Sequence, residues 1–287
     1  MGVVLPVLLA CVAAFSNALA TVLQRRAALS VPQARGLRPG LVLDLLRRPV
    51  WLAGMLAVVV AGVGQAAALA TGPLSLVQPL FVLELPLALL LASSMTGRGL
   101  PGVLWAAVAA VVAGLGLALV SAAPAGGVAE VSAGRWVPVL AACGAAVVLL
   151  AGAGLRRPAG KARAGCLGSA TAVCYALTAG LIKDAMRILD TGGVTGFLSA
   201  WQTYGFAVAG AGAVLLLEHA LQGGPLIASQ PALALGDAAV SLLLGLLLYQ
   251  EDVRAGWWLI PQVTGVALVT VGVITLARRG IDLRTGR

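Results

Sequence analysis

The sequence predicts an all-α integral membrane protein of about nine transmembrane helices, arranged as two inverted four-helix repeats plus one linking helix. Three observations carry that expectation. Of the 287 residues, 60% are hydrophobic and only 10% are charged, whereas a soluble domain runs near a quarter charged. The apolar residues fall in runs of about 20, the length a helix needs to cross a bilayer. And one phrase occurs twice: Gly72-Pro73-Leu74-Ser75-Leu76-Val77-Gln78-Pro79 returns 152 residues later as Gly224-Pro225-Leu226-Ile227-Ala228-Ser229-Gln230-Pro231, identical at five of eight positions.

Each copy follows one apolar run and opens another. Proline suits a first helical turn and disrupts an interior one, so Gly-Pro ends one helix and starts the next. The second proline of each copy then falls inside the new helix and frees a carbonyl where no water can supply a donor. Gly72, Pro73, Pro79, Gly224, Pro225 and Pro231 are therefore the expected helix breaks. Interruptions at matching positions of two halves point to the binding region of a transporter.

Taken in order, span 1 covers about residues 3–23 and stops at Arg25-Arg26. Residues 36–49 are too short an apolar stretch to cross and read as an interfacial amphipathic segment. Spans 2, 3 and 4 follow at about 51–71, 73–95 and 103–122, and the small-residue link Ala123-Pro124-Ala125-Gly126-Gly127 ends the first half. Span 5 is about 137–155, span 6 about 165–182, span 7 about 198–217, span 8 about 225–249 and span 9 about 257–277. Residues 1–122 then form the first repeat, 123–163 the linking span and a basic loop, 164–279 the second repeat, and 280–287 a tail. An odd number of spans separates the two copies of the phrase, so the second is expected upside down. Spans 1 and 6 share a weaker match, Ala18-Leu19, Leu23 and Arg25 against Ala176-Leu177, Leu181 and Lys183.

The net charge of +9 sits in short links between apolar runs. With the N-terminus outside, fifteen of the nineteen Lys and Arg residues face the cytoplasm, and only Arg135, Lys183, Arg187 and Arg254 face out. The positive-inside rule then predicts a plasma-membrane protein with its N-terminus outside and its C-terminus cytoplasmic. No basic, aromatic-bearing stretch exists outside the spans, so a nucleic-acid partner is not expected. The expected partners are the lipid bilayer and a small solute or cation, and a homodimer is compatible with the sequence. Met1-Gly2-Val3-Val4 has no basic n-region, so no removable signal peptide is expected. Cys11, Cys143, Cys166 and Cys174 lie in apolar runs without a Cys-x-x-Cys pair and read as packing residues.

Two acids stand out. Glu84 and Asp237 lie about eleven and twelve residues after Pro73 and Pro225. At about 1.5 Å per residue both reach the bilayer midplane, where a carboxylate costs about 3 kcal/mol. Either they meet in one cavity, as sites for a cation, an amine or a proton, or each is neutral and hydrogen-bonded within the bundle. Gln78 and Gln230 either satisfy the carbonyls freed by the prolines or reach that cavity. Asn17, Gln65 and Tyr175 are weaker candidates, more often interhelical glue than ligands. Trp201, Gln202 and Tyr204 fit an aromatic belt. Lys183 and Asp184 can pair as a gate, although exposed link charges rarely do so, and His219 is an interfacial residue or a proton relay. No nucleophile and base are spaced for catalysis, so neither an enzyme nor a cofactor is expected.

The chain resembles the drug/metabolite transporter superfamily of EamA-like proteins. Leu246-Leu247-Leu248-Tyr249-Gln250-Glu251 followed by Gly265-Val266-Ala267-Leu268 is similar to that family's closing pattern. Leu23-Gln24-Arg25-Arg26-Ala27, Trp51-Leu52-Ala53-Gly54-Met55 and the first Gly-Pro phrase through Leu80 resemble its NIPA-like magnesium transporter branch. The resemblance implies a solute transporter built from inverted repeats, usually of ten spans, here without the first. It departs where Gly64-Gln65 replaces the acid usual in the NIPA-like second span. It implies alternating-access transport of a small metabolite, drug-like solute or cation. If the cargo is magnesium, Glu84 and Asp237 are the carboxylates to hold it, since that ion keeps several waters. A third possibility from another class is a membrane scaffold or lipid-handling protein that keeps the fold without a pathway.

Overall fold

With no water to satisfy them, backbone N–H and C=O groups in lipid must pair within the chain, and apolar runs fold as helices. The computed structural model describes residues 3–29, 48–97, 99–128 and 131–285. Among these residues nine helical stretches are long and apolar enough to cross a membrane. They are α1 (Val4–Leu29), α2 (Pro49–Thr71), a third crossing in pieces, α5 (Gly102–Ala122), α6 (Ala133–Leu155), α7 (Lys161–Ser199), α8 (Trp201–Gly223), α9 (Leu226–Leu247) and α10 (Leu259–Thr285). The third crossing is α3 (Leu74–Leu80), a 3-10 turn (Phe81–Leu83) and α4 (Glu84–Thr96). The expected interfacial segment at 36–49 lies, as far as residue 47, outside the described residues.

The links gather at two ends. At one, called upper here, α1 begins and the α2–α3, α5–α6 and α9–α10 links meet. Two-residue strands β1 (Ala125–Gly126) and β2 (Glu251–Asp252) pair antiparallel there, Ala125 opposite Asp252 and Gly126 opposite Glu251. At the lower end the α6–α7 link donates Gly160 N–H to the Gly223 carbonyl at 2.9 Å. Arg25, Arg26, Arg156, Arg157, Arg278 and Arg279 lie on that lower side. The first Gly-Pro phrase is thus at the upper end and the second at the lower.

Packing relies on close backbone approach, the main source of helix affinity in lipid. The α5–α10 seam is the tightest: a Cβ on Gly114 would stand 2.7 Å from the Gly265 carbonyl oxygen. Central α7 is the most enclosed crossing and α6 the most peripheral. Exposed aliphatic side chains such as Val59, Leu149, Val208 and Val263 form the outer faces, as expected where the neighbour is a lipid tail. Trp257 and Trp258 are exposed where α10 begins, with the Arg254 guanidinium 5.1 Å from the Trp258 ring centre.

Two expectations are corrected. Span 3 is not one regular helix, because Pro79 has no N–H for the Ser75 carbonyl and Pro86 none for Val82. Between them the backbone tightens to a 3-10 turn. Span 6 does not end near residue 182; α7 continues as helix to Ser199, interrupted only at Gly193 (φ 62°). No helix breaker occurs from Lys183 until Gly192-Gly193, and the charged turn simply projects beyond the apolar run. Span 8 ends at Leu247, in line with the expected end near 249, and Gln250 beyond it takes a left-handed conformation (φ 52°).

Candidate functional site

A cavity of about 720 Å³ lies among α1, α2, the third crossing, α7, α8, α9 and α10. Asn17, Gln65, Gln78, Glu84, Tyr175, Gln230 and Asp237 all line it. The remainder of the wall is mostly apolar, with Phe81, Leu85, Leu217, Leu233 and Leu276 among its residues. No Lys, Arg or His residue is part of the lining. The wall runs down to Thr21, Val58 and Ala277 in the lower halves of their helices and to Leu226 at the lower end of α9.

Local structure explains the aim of each group. The 3-10 turn makes Glu84 the first residue of α4. There its Oε2 accepts a hydrogen bond from Asn17 Nδ2 at 2.7 Å. Gln65 Nε2 on α2 donates to Gln78 Oε1 on α3 at 3.5 Å, the long limit of a hydrogen bond. Gln78 is therefore tied across helices while it lines the cavity. Asp237 has Ser241 Oγ 3.4 Å from its Oδ1, one helical turn on. Glu84 and Asp237 line the same cavity from the third crossing and α9. Neither points to the lipid faces, and both are half-buried.

The helix-break residues lie elsewhere. Gly72 and Pro73 line a separate upper vestibule of about 410 Å³, with Ala125, Lys183, Asp184, Arg187, Tyr249 and Glu251. Gly224, Pro225, Pro79 and Pro231 line neither space. They shape the helices without facing the cavity, while their neighbours Gln78, Leu226 and Gln230 line it.

At the vestibule floor sits a side chain that sequence reasoning passed over. The Glu251 carboxylate accepts from Leu74 N–H at 2.6 Å, Ser75 N–H at 2.8 Å and Ser75 Oγ at 2.6 Å. It pairs with Lys183 Nζ at 3.0 Å, and the same ammonium donates to the Gly72 carbonyl at 2.7 Å. Lys183 thus pairs with Glu251 and not with Asp184. Asp184, which the sequence placed among exposed charges, is buried and accepts from Trp136 Nε1 at 2.7 Å. The Tyr249 hydroxyl donates to the Gly180 carbonyl at 2.6 Å and lies 3.3 Å from Asp184 Oδ1. Burial pushes this phenol well above the usual tyrosine range, so it stays a neutral donor. One signal for Glu251 was available: it is an acid at the end of an apolar run, in an upper side that holds few cations to pair with.

The aromatic candidates are structural. Trp201 meets Trp136 edge-on at 5.5 Å, and the exposed Tyr204 donates its hydroxyl to the Leu198 carbonyl. His219 is exposed on the lower side, its Nδ1 2.8 Å from the Leu215 carbonyl oxygen. None of the three lines either space.

Apolar crossings around a polar interior define the class: a multi-pass membrane protein with an internal carboxylate-bearing cavity. The chain is 31% identical over 280 residues to the uncharacterized protein Cgl0250/cg0304 of Corynebacterium glutamicum, covering 95% of this chain and 94% of that one. It belongs to that protein's family. No protein-family model matches the chain, and no solved structure matches it.

Proposed function

We propose that this protein is a secondary transporter that moves a small cationic or amine-bearing solute by alternating access through the central cavity. One observation carries the reading: polar side chains from five crossings converge on one space holding two carboxyl groups and no cationic side chain. Intramembrane acids are expensive, and facing a shared cavity is how a chain tolerates them for function. In a scaffold each acid would instead sit in its own interhelical contact. The two Gly-Pro phrases lie at opposite ends of the molecule, which supports an inverted duplication of residues 1–122 in 164–279 with span 5 between them. Such a duplication gives one chain two alternately opening ends.

The test is uptake or counterflow in proteoliposomes across a panel of amines, metabolites and metal ions. Glu84→Gln and Asp237→Asn should each lower transport by about ten-fold or more, since every ~1.4 kcal/mol of lost interaction is a factor of ten. Transport unchanged in both variants would reject the cavity as the pathway. Magnesium is the second reading, favoured by two carboxyl groups beside amide oxygens in a space roomy enough for a hydrated ion. Growth of a magnesium-auxotrophic host on low magnesium, dependent on Glu84 and Asp237, would select it.

A further inference from the structure

We propose that the Glu251–Lys183 pair, seated on the first turn of the third crossing, is the upper gate of the cavity and is closed in this structure. The inference rests on the transporter reading for its purpose, but its geometry stands alone. The vestibule and the central cavity share no lining residue. Along the third crossing, Pro73 faces the vestibule and Gln78 the cavity, and Leu74 to Val77 between them are buried. Along α7, Thr178 and Ile182 line the cavity and Lys183 the vestibule, with the buried Ala179, Gly180 and Leu181 packed behind, so the two spaces come within one residue of each other at the Lys183 pair. Along α9 and its link the same septum is made by Leu244, Gly245 and Leu248. Glu251 is buried at 3% exposure where these three meet.

A single carboxylate therefore ties α3, α7 and the α9–α10 link together. Any motion that parts α3 from α7 has to break its contacts to Leu74, Ser75 and Lys183 at once. Two backbone features aim it. Gln250 adopts φ 52°, a conformation that costs a non-glycine residue and persists where surrounding contacts demand it. Gly245 makes room, because a Cβ there would stand 2.5 Å from Glu251 Oε2 and 3.1 Å from Ser75 Cβ.

Among the described residues the lower end shows no counterpart of this device. Ile227 stands where the first phrase has Ser75, and Gly99 occupies the position 152 residues before Glu251. The cavity wall includes Leu226, the first residue of α9 at the lower end, and on α7 it stops at Ile182, one residue short of Lys183.

Sidedness of thiol labelling tests the gate without a substrate. A reporter Ala234→Cys in the cavity and a second, Ala125→Cys in the vestibule, are placed singly in a chain whose four native cysteines are replaced by alanine. A membrane-impermeant maleimide is added to either side of oriented vesicles. With the gate intact, the cavity reporter should react from the lower side and about ten-fold more slowly from the upper. Lys183→Met or Glu251→Gln should raise its upper-side rate about five-fold or more, with vestibule labelling unchanged. Equal rates from both sides before any gate substitution overturn the proposal. So does an unchanged upper-side rate in variants that still label normally from below. If both variants lose lower-side labelling through misfolding, Ser75→Ala decides, since it removes one donor and leaves the ion pair. A rise of about two-fold supports the gate, and no rise rejects it. Correct sidedness with no solute moved would leave the gate and reject the transporter reading; solute movement with unchanged labelling would do the reverse.

Discussion

Asp184 illustrates how one charged side chain is kept inside this molecule. It is buried, yet accepts the Trp136 indole N–H at 2.7 Å and has the Tyr249 hydroxyl beside it. Trp136→Phe removes the donor together with part of the indole volume, which should cost at least about 1–3 kcal/mol, read as earlier thermal unfolding in detergent. An unchanged midpoint would show that the indole N–H contributes nothing. The residues legible in the sequence were those whose polarity clashed with an apolar run, such as Asn17, Glu84 and Asp237. Glu251 escaped because it lies in a link, where a charge is ordinary. Its hydrogen-bond partners lie as far as 177 residues away, beyond anything local spacing can reveal. The pairing of Lys183 with Glu251 instead of its neighbour Asp184 was hidden for the same reason.

For single elements, length and hydropathy sufficed to find every crossing, but not the internal geometry of two of them. The third crossing is bent by a pair of prolines, and only Pro79 was read from the repeated phrase. Pro86 completes the effect by denying Val82 a partner, and the intervening 3-10 turn re-aims Glu84. Short 3-10 stretches inside helices often mark functional positions. Pro86→Ala restores the missing N–H and should favour continuous α-helix. The expected result is unchanged or higher thermal stability with transport lowered about ten-fold, because ~1.4 kcal/mol of misaligned contact suffices. Full activity would mean that the turn does not set the aim of Glu84. The upper extension of α7 was missed because its charges ended the apolar run before they ended the helix. Hydropathy measures the solvent around a helix, not its hydrogen bonds.

At the scale of the molecule, the basic residues cluster at the lower end, so the lower end should face the cytoplasm. A fluorescent reporter fused after residue 287 should light up in the cytoplasm, and an Ala125→Cys label should be reachable from outside intact cells. The opposite result would invert the whole arrangement. Alternation of apolar runs and links made this topology readable from the sequence; the depth and walls of the cavity needed side-chain packing that no periodicity records. The Glu251 contacts at the upper end also have a consequence for biogenesis. Ser75 enters the bilayer long before Glu251, which follows 176 residues later, leaves the ribosome. Until the eighth crossing is inserted, the first-turn amides of the third crossing have no carboxylate to receive them. A nascent chain halted earlier would leave those amides without this partner, so the contact that joins the third crossing to the end of α9 is among the last this protein forms during synthesis.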